Sequence, residues 1–119
     1  MEKVNFLQKF RSIDAYWDPK IVGELNGQVV KIAKLKGEFI WHKHEAEDEF
    51  FYVLKGQMTI KLPQSEIHLS EGEFFIVPRG VEHKPVADEE VYVVMFEPLG
   101  TLNTGDVRDE RTIEDVERI

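Results

Sequence analysis

Phe39-Ile40-Trp41-His42-Lys43-His44-Glu45-Ala46-Glu47-Asp48-Glu49-Phe50-Phe51-Tyr52-Val53-Leu54 decides how this chain is read. On a helix, positions i and i+2 point about 200° apart, so two histidines at that spacing cannot share an ion. On an extended strand they leave the same face with Cα atoms roughly 6.6 Å apart. Phe39, Ile40 and Trp41 are β-prone, so the spacing predicts a strand over 39–44 with His42 and His44 on one side. The polar run 45–48 is long enough to reverse the chain, and an antiparallel return sets Glu49 beside the two imidazoles. Phe50 to Leu54 is an apolar strand, which would begin with a buried carboxylate only if something positive neutralised it. A metal ion does so. His83, after the turn residues Pro78-Arg79-Gly80, is the further imidazole that could complete the set. Three His and one Glu suit a divalent transition metal.

Outward from that stretch the chain reads as short strands cut by turn residues. Ile21 to Leu25 and Val29 to Leu35 flank Asn26-Gly27, a dipeptide suited to a two-residue hairpin because both positions tolerate positive φ. Met58 to Leu62 ends at Pro63, Ile67 and Leu69 alternate with His68, Phe74 to Val77 lies between Glu71-Gly72 and Pro78, and Val91 to Phe96 ends at Pro98. About nine short strands at near-regular spacing predict an all-β fold, a small antiparallel barrel or sandwich. Phe6, Leu7, Phe10 and Ile13 predict a short N-terminal helix, with Asn5 and Gln8 as a capping box. The expected organisation is a helical segment at 1–14, a barrel at 20–98 and a polar tail at 99–119. The tail is expected to be a solvated extension or an arm on a partner subunit, with a loose helix from Thr112 to Ile119.

Composition removes whole classes of function. At 119 residues, 42% of them hydrophobic, the chain is one globular domain able to bury its own core. A net charge of −8 argues against a phosphate-tracking surface, so no nucleic acid or anionic membrane is expected as a partner. The absence of cysteine excludes disulfides, Cys-based zinc sites and thiol chemistry. No apolar run approaches the length of a membrane span and the N-terminus lacks a signal-peptide core, so a soluble cytoplasmic protein is the expectation.

The run Gly37, His42, His44, Glu49, Gly56 resembles the first cupin motif, and Gly72, Pro78, Gly80, His83 resembles the second. Four residues rather than five separate Gly37 from His42, and Ala87 stands where the pattern usually has Asn; neither departure touches a ligand position. A wider stretch, including 47–51 and 97–105, is similar to small single-domain bacterial cupins, some of which carry a mannose-6-phosphate isomerase-like label. The resemblance implies a double-stranded β-helix (jelly-roll) barrel, a homodimer, and His42, His44, Glu49 and His83 as ligands of one divalent metal per chain: Mn, Fe, Ni, Co or Zn.

Three functions follow from such a site. An ion with open positions makes a metalloenzyme acting on a small oxygenated or sugar-like molecule, of isomerase, cyclase or dioxygenase type. Without turnover, the barrel is a module that binds a small molecule or a metal. Zinc held by all four side chains would be structural. Phe51 and Val53 share the parity of Glu49 and are expected to line an apolar cavity, Trp41 has the opposite parity and is expected behind the sheet, and His68 is expected to face solvent. Arg79, Lys84 and Tyr92 read first as surface or barrel-edge residues and second as anion-binding or proton-carrying groups. Two strands, Phe74 to Val77 and Val91 to Phe96, are apolar on both faces, so the helix or a second subunit should cover the outside.

Overall fold

The hairpin at Asn26-Gly27 starts the architecture. Both residues have positive φ (52° and 77°), as a two-residue turn that matches strand twist requires, and the turn registers Leu25 opposite Gln28. A computed structural model describes residues 2–119. After a five-residue helix α1 (Phe6–Phe10), the chain forms β1 (Lys20–Leu25), β2 (Gln28–Glu38), β3 (Glu49–Lys55), β4 (Gln57–Leu62), β5 (Ser65–Ser70), β6 (Phe74–Val77) and β7 (Lys84–Pro98). All pairings are antiparallel, in the order β1-β2-β7-β3-β6, with β4 joined to β7 and β5 to β4.

The long strand β7 organises the fold. Its C-terminal half is held between β2 and β3, with Lys31 opposite Met95, Val29 opposite Glu97 and Phe50 opposite Phe96. Its N-terminal end pairs with β4, Thr59 facing Val86. Side chains from six strands therefore meet in one interior cluster that includes Leu35, Phe51, Met58, Ile60, Val77 and Val93. The result is an all-β jelly-roll sheet curled around a core, not a hydrogen-bonded closed barrel, because among the described residues no pairing joins β6 to β5 or β1.

Seven strands stand where about nine are expected, and one difference matters for the site. Residues 39–44 are not a ladder strand; His42 makes only an isolated antiparallel bridge with His83. The parity argument survives because the segment is still extended: His42 and His44 are buried while Lys43 between them is partly exposed.

The outside of the sheet is covered in part. Asn5 caps α1 by accepting from Gln8 N at 3.0 Å, and the helix delivers Phe10 and Ile13 onto Ile32 and Val94. Phe10 stacks on Tyr92 with ring centroids 4.4 Å apart. Phe74, Ile76 and Phe96 stay exposed beyond the reach of this cover. Trp41, expected behind the sheet, is exposed too, because the departure of 39–44 from the ladder leaves no neighbouring strand for it to pack on.

The tail is not helical, and although 11 of its 21 residues are exposed it does not extend away from the domain. It lies on its own barrel, where Ile21 N donates to Glu117 O at 2.9 Å and Ile119 N to Ile21 O at 3.0 Å. Asp106 N donates to Lys43 O at 2.9 Å, Lys43 N donates to Asp106 Oδ1 at 2.9 Å, and Thr104 is fully buried. No helix forms over Thr112 to Ile119.

Candidate metal centre

Three short segments bring the four side chains together. His42 and His83 are locked back to back, His42 N donating to His83 O at 3.0 Å and His83 N to His42 O at 2.9 Å. His44 O accepts from Gly80 N at 2.8 Å, which ties the first loop to the turn before His83. Glu49 opens β3, opposite Val77 at the end of β6. All four are buried, and each offers a ligand atom lying within 4.8 Å of the others, so the group could hold a metal ion.

The hydrogen bonds decide which nitrogens face inward. His42 Nδ1 lies 2.9 Å from Ile40 O and His83 Nδ1 lies 3.0 Å from Val81 O. A carbonyl can only accept, so both Nδ1 atoms carry protons and both rings turn Nε2 toward the centre. His83 Nε2 then stands 3.2 Å from Glu49 Oε1, a contact that needs a proton or a cation between the two atoms. His44 Nε2 is 3.4 Å from the same oxygen, and neither ring nitrogen of His44 has a hydrogen-bond partner although both are buried. Such an arrangement is stable only with a cation or a proton among the three groups. Two metal–ligand bonds of about 2.1 Å at 90–109° separate their donors by roughly 3.0–3.4 Å, so the observed spacings fit an ion shared by these atoms.

Protonation follows the same geometry. Burial, with the neighbouring His83 second, lowers the His42 pKa to about 4, so that its ring is neutral at pH 7. Burial pushes His44 the same way, but the Glu49 carboxylate outweighs it and leaves His44 above its ordinary value. Glu49 is pushed up by burial and pulled down further by its contacts with His44 and His83, ending well below the usual carboxylate range.

Two charged residues not singled out in the sequence lie beside this group. Lys31 and Glu97 are 2% and 3% exposed, and Lys31 Nζ sits 3.0 Å from Glu97 Oε1. Lys31 also donates to Thr101 O at 3.1 Å. Burial and the nearby Glu49 carboxylate push Glu97 well above its usual range against the pull of Lys31. The signal was present as parity: Val29, Lys31, Ala33 and Leu35 alternate inward on β2, and Val91, Val93, Met95 and Glu97 on β7. A charge at an inward position of each paired strand is a pattern the strand reading can find.

These residues and two of the four candidate ligands meet at one cavity of about 480 Å³, counting its solvent-open mouth, walled by Leu35, Phe39, Phe51, Met95 and Trp17, with His42, Glu49, Lys31 and Glu97 among its polar lining. Phe51 lines it as its parity with Glu49 implies, while Val53 is fully buried in the adjoining core. The other weighed residues lie elsewhere. Arg79 pairs with Asp48, Lys84 with Glu38, and Tyr92 packs under α1. His68 is exposed and bonded to Gln57 and Thr59 on β4.

Residues 28–97 match the cupin domain family. A structure of a cupin-2 domain-containing protein from Shewanella frigidimarina superposes with a TM-score of 0.79 at 40% identity, covering 80% of this chain and 93% of that one. A Neisseria meningitidis protein superposes at 0.76 with 28% identity over 82% of this chain and 99% of its own. The uncharacterized protein YdbB of Bacillus subtilis is 33% identical over 64 residues, 53% of this chain and 57% of the relative, so the match spans little more than half of that protein.

Proposed function

This chain belongs to the cupin domain family, and from that premise we propose that it is a divalent-metal-dependent enzyme acting on a small oxygenated molecule, with His42, His44, Glu49 and His83 as the ligands. The observation that carries the reading is the crowding of His83 Nε2 and His44 Nε2 at 3.2 and 3.4 Å from one Glu49 oxygen, in a buried group where neither ring nitrogen of His44 has a hydrogen-bond partner. A bound ion would supply Lewis-acid or one-electron chemistry of the isomerase, cyclase or dioxygenase kind. The chain's own residues do the rest. His42 stays unprotonated because it is buried, Ile40 and Val81 carbonyls orient the two rings, and the apolar walls exclude water from whatever lies against His42 and Glu49.

One observation favours a second reading, a non-catalytic barrel that binds a small ligand or metal. Outside the ligand set the titratable side chains of the cavity are Lys31 and Glu97, which are already bonded to one another. Elemental analysis of protein purified without chelators or a metal-affinity column tests the common premise. About one divalent ion per chain is expected in the wild type and none in His42→Ala; equal metal in both sinks the ligand assignment. Chelator-reversible product formation then separates enzyme from binding module.

The exposed Phe74 and Ile76 lie on β6, whose outer edge is unpaired among the described residues, and Phe96 lies on the same face two strands in, across Phe50; together they support a homodimer through this face. Light scattering showing a monomer at micromolar concentration would refute it. Cytoplasmic location is part of the same proposal; among the described residues no helix is long and apolar enough to cross a membrane.

A further inference from the structure

Of the polar groups lining the cavity, one is left without a partner. Trp17 Nε1 donates to Lys36 O at 2.8 Å. Asn103 is used at both ends, its Nδ2 donating to Arg111 O at 2.8 Å and its Oδ1 accepting from Ile113 N at 2.9 Å. Lys31 is taken by Glu97 Oε1 and Thr101 O. His42 and Glu49 belong to the ligand set. What remains is Glu97 Oε2, an oxygen of a side chain 3% exposed that has no hydrogen-bond partner. An orphaned buried carboxyl oxygen costs stability unless something completes it.

We propose that Glu97, held in place by Lys31, is the recognition group of the cavity: its Oε2 binds a hydroxyl of an uncharged ligand whose apolar skeleton fills the space between Leu35, Phe39, Phe51 and Met95. This rests on the reading that ligands enter this cavity beside the four-residue site. A hydroxyl is the chemical match because it both donates and accepts, and so completes Glu97 whether or not that carboxyl carries a proton. The walls call for a largely hydrocarbon skeleton, since apart from Lys31, His42, Glu49, Glu97 and Asn103 the lining is apolar or aromatic. A phosphate ester is excluded as a ligand class. The one cationic side chain of the lining is Lys31, whose Nζ is already bonded to Glu97 Oε1 at 3.0 Å and to Thr101 O at 3.1 Å, and the carboxyls of Glu49 and Glu97 beside it would repel a phosphate. Two strands hold the pair rigidly, because Lys31 opposes Met95 and Val29 opposes Glu97 in the longest pairing of the sheet.

Phenol and toluene are the probes, equal in ring and size and differing by the hydroxyl. Calorimetric or NMR titration of the full-length protein as purified should show phenol binding at least about tenfold more tightly than toluene, the ratio expected of a hydrogen bond to a charged or strongly polar acceptor. In Lys31→Met/Glu97→Met, which removes both charges at similar volume, the ratio should fall to about one while metal content is unchanged. Ring protons of phenol bound to the wild type should show nuclear Overhauser contacts to the Ala33 and Met95 methyls, a measurement that stands if the double variant does not fold. An unchanged ratio in the double variant, absence of those contacts, or phenyl phosphate binding as tightly as phenol overturns the proposal. If the wild type carries no metal but the ratio appears and collapses as stated, the metal reading fails and the hydroxyl subsite stands.

Discussion

Replacing Gly105 by Ala tests whether the tail holds the ligand loop. Gly105 has φ +57°, and a Cβ there would lie 2.2 Å from Lys43 O, 2.9 Å from Lys43 C and 3.1 Å from His42 Cδ2. The first two atoms are backbone, so the tail must move away from the loop by about 1 Å to reach ordinary contact distance. That movement breaks the two bonds between Asp106 and Lys43, each 2.9 Å long. A neutral bond contributes about 1 kcal/mol and one to a carboxylate about 1.5–3, and the left-handed backbone adds about 1 kcal/mol for a residue with Cβ. Allowing for partial relaxation, the expected loss is about 3 kcal/mol. For a chain of 119 residues, an unfolding entropy near 2.1 cal/mol/K per residue makes each kcal/mol about 4 °C, so Tm should fall by about 12 °C. Gly100→Ala is the control on the same tail, with φ +92° but nothing within 4 Å of its Cβ; it should carry only the backbone strain, about 1–2 kcal/mol. Calorimetric melting of both variants and titration of metal into each supply the assay. Because the added methyl also presses on His42, Gly105→Ala should bind metal at least several-fold more weakly and Gly100→Ala should not. Equal melting points for the two variants, with equal metal affinity, would show that the tail does not clamp the loop.

Acid should unfold the chelator-treated protein partly through His42. Its pKa is about 4 folded and 6.5 unfolded, so between those values the unfolded chain binds the extra proton and stability falls as pH falls, by about 3 kcal/mol across the window. Urea melts at pH 7 and pH 4.5 should show that loss in the wild type and a shallower one in His42→Asn; matching losses would mean that His42 is not the titrating group. Phe10→Ala should cost about 3–5 kcal/mol, since Phe10 is fully buried and stacked on Tyr92. Its metal content should be unchanged, because α1 covers the face of the sheet opposite the site; a loss under 1 kcal/mol in denaturant melts would mean that the helix is not docked.

The convergence of the four side chains was legible because strand parity is a strong constraint. His42, His44 and Glu49 occupy positions that only extended backbone can bring together, and this holds although 39–44 forms no ladder. The ladder itself was not legible, since backbone pairing depends on a neighbour that the local sequence does not specify, and with it went the expected burial of Trp41. Lys31 and Glu97 were missed for a different reason. Each is one charge in an otherwise apolar alternation, and such a residue reads as an interruption until the partner strand shows a charge of opposite sign beside it. The tail looked solvated because it holds no aromatic residue and many charges. It docks through backbone hydrogen bonds and small buried threonines, Thr101 and Thr104, which leave no hydrophobic pattern.

The distribution of buried charge separates scaffold from site. Glu49, Glu97 and Lys31 are each less than 5% exposed, and burying such groups carries a desolvation penalty of several kcal/mol apiece that pairing only partly offsets. An apolar trio of similar volume would make the sheet more stable. These charges therefore do not hold the fold together; the apolar cluster from six strands does that. Their placement is also unequal. Lys31 and Glu97 stand on the β2–β7 ladder, the most extensively paired part of the sheet, whereas His42, His44 and His83 stand on loops tied by single bridges and by the tail. A ligand would thus meet a fixed polar point at Glu97 and, beside it, a loop-borne centre. Adjustment of such a centre to an ion or ligand would fall to the loops, so the contact between Asp106 and Lys43, far from any ladder, is expected to govern how well the candidate metal centre is preorganised.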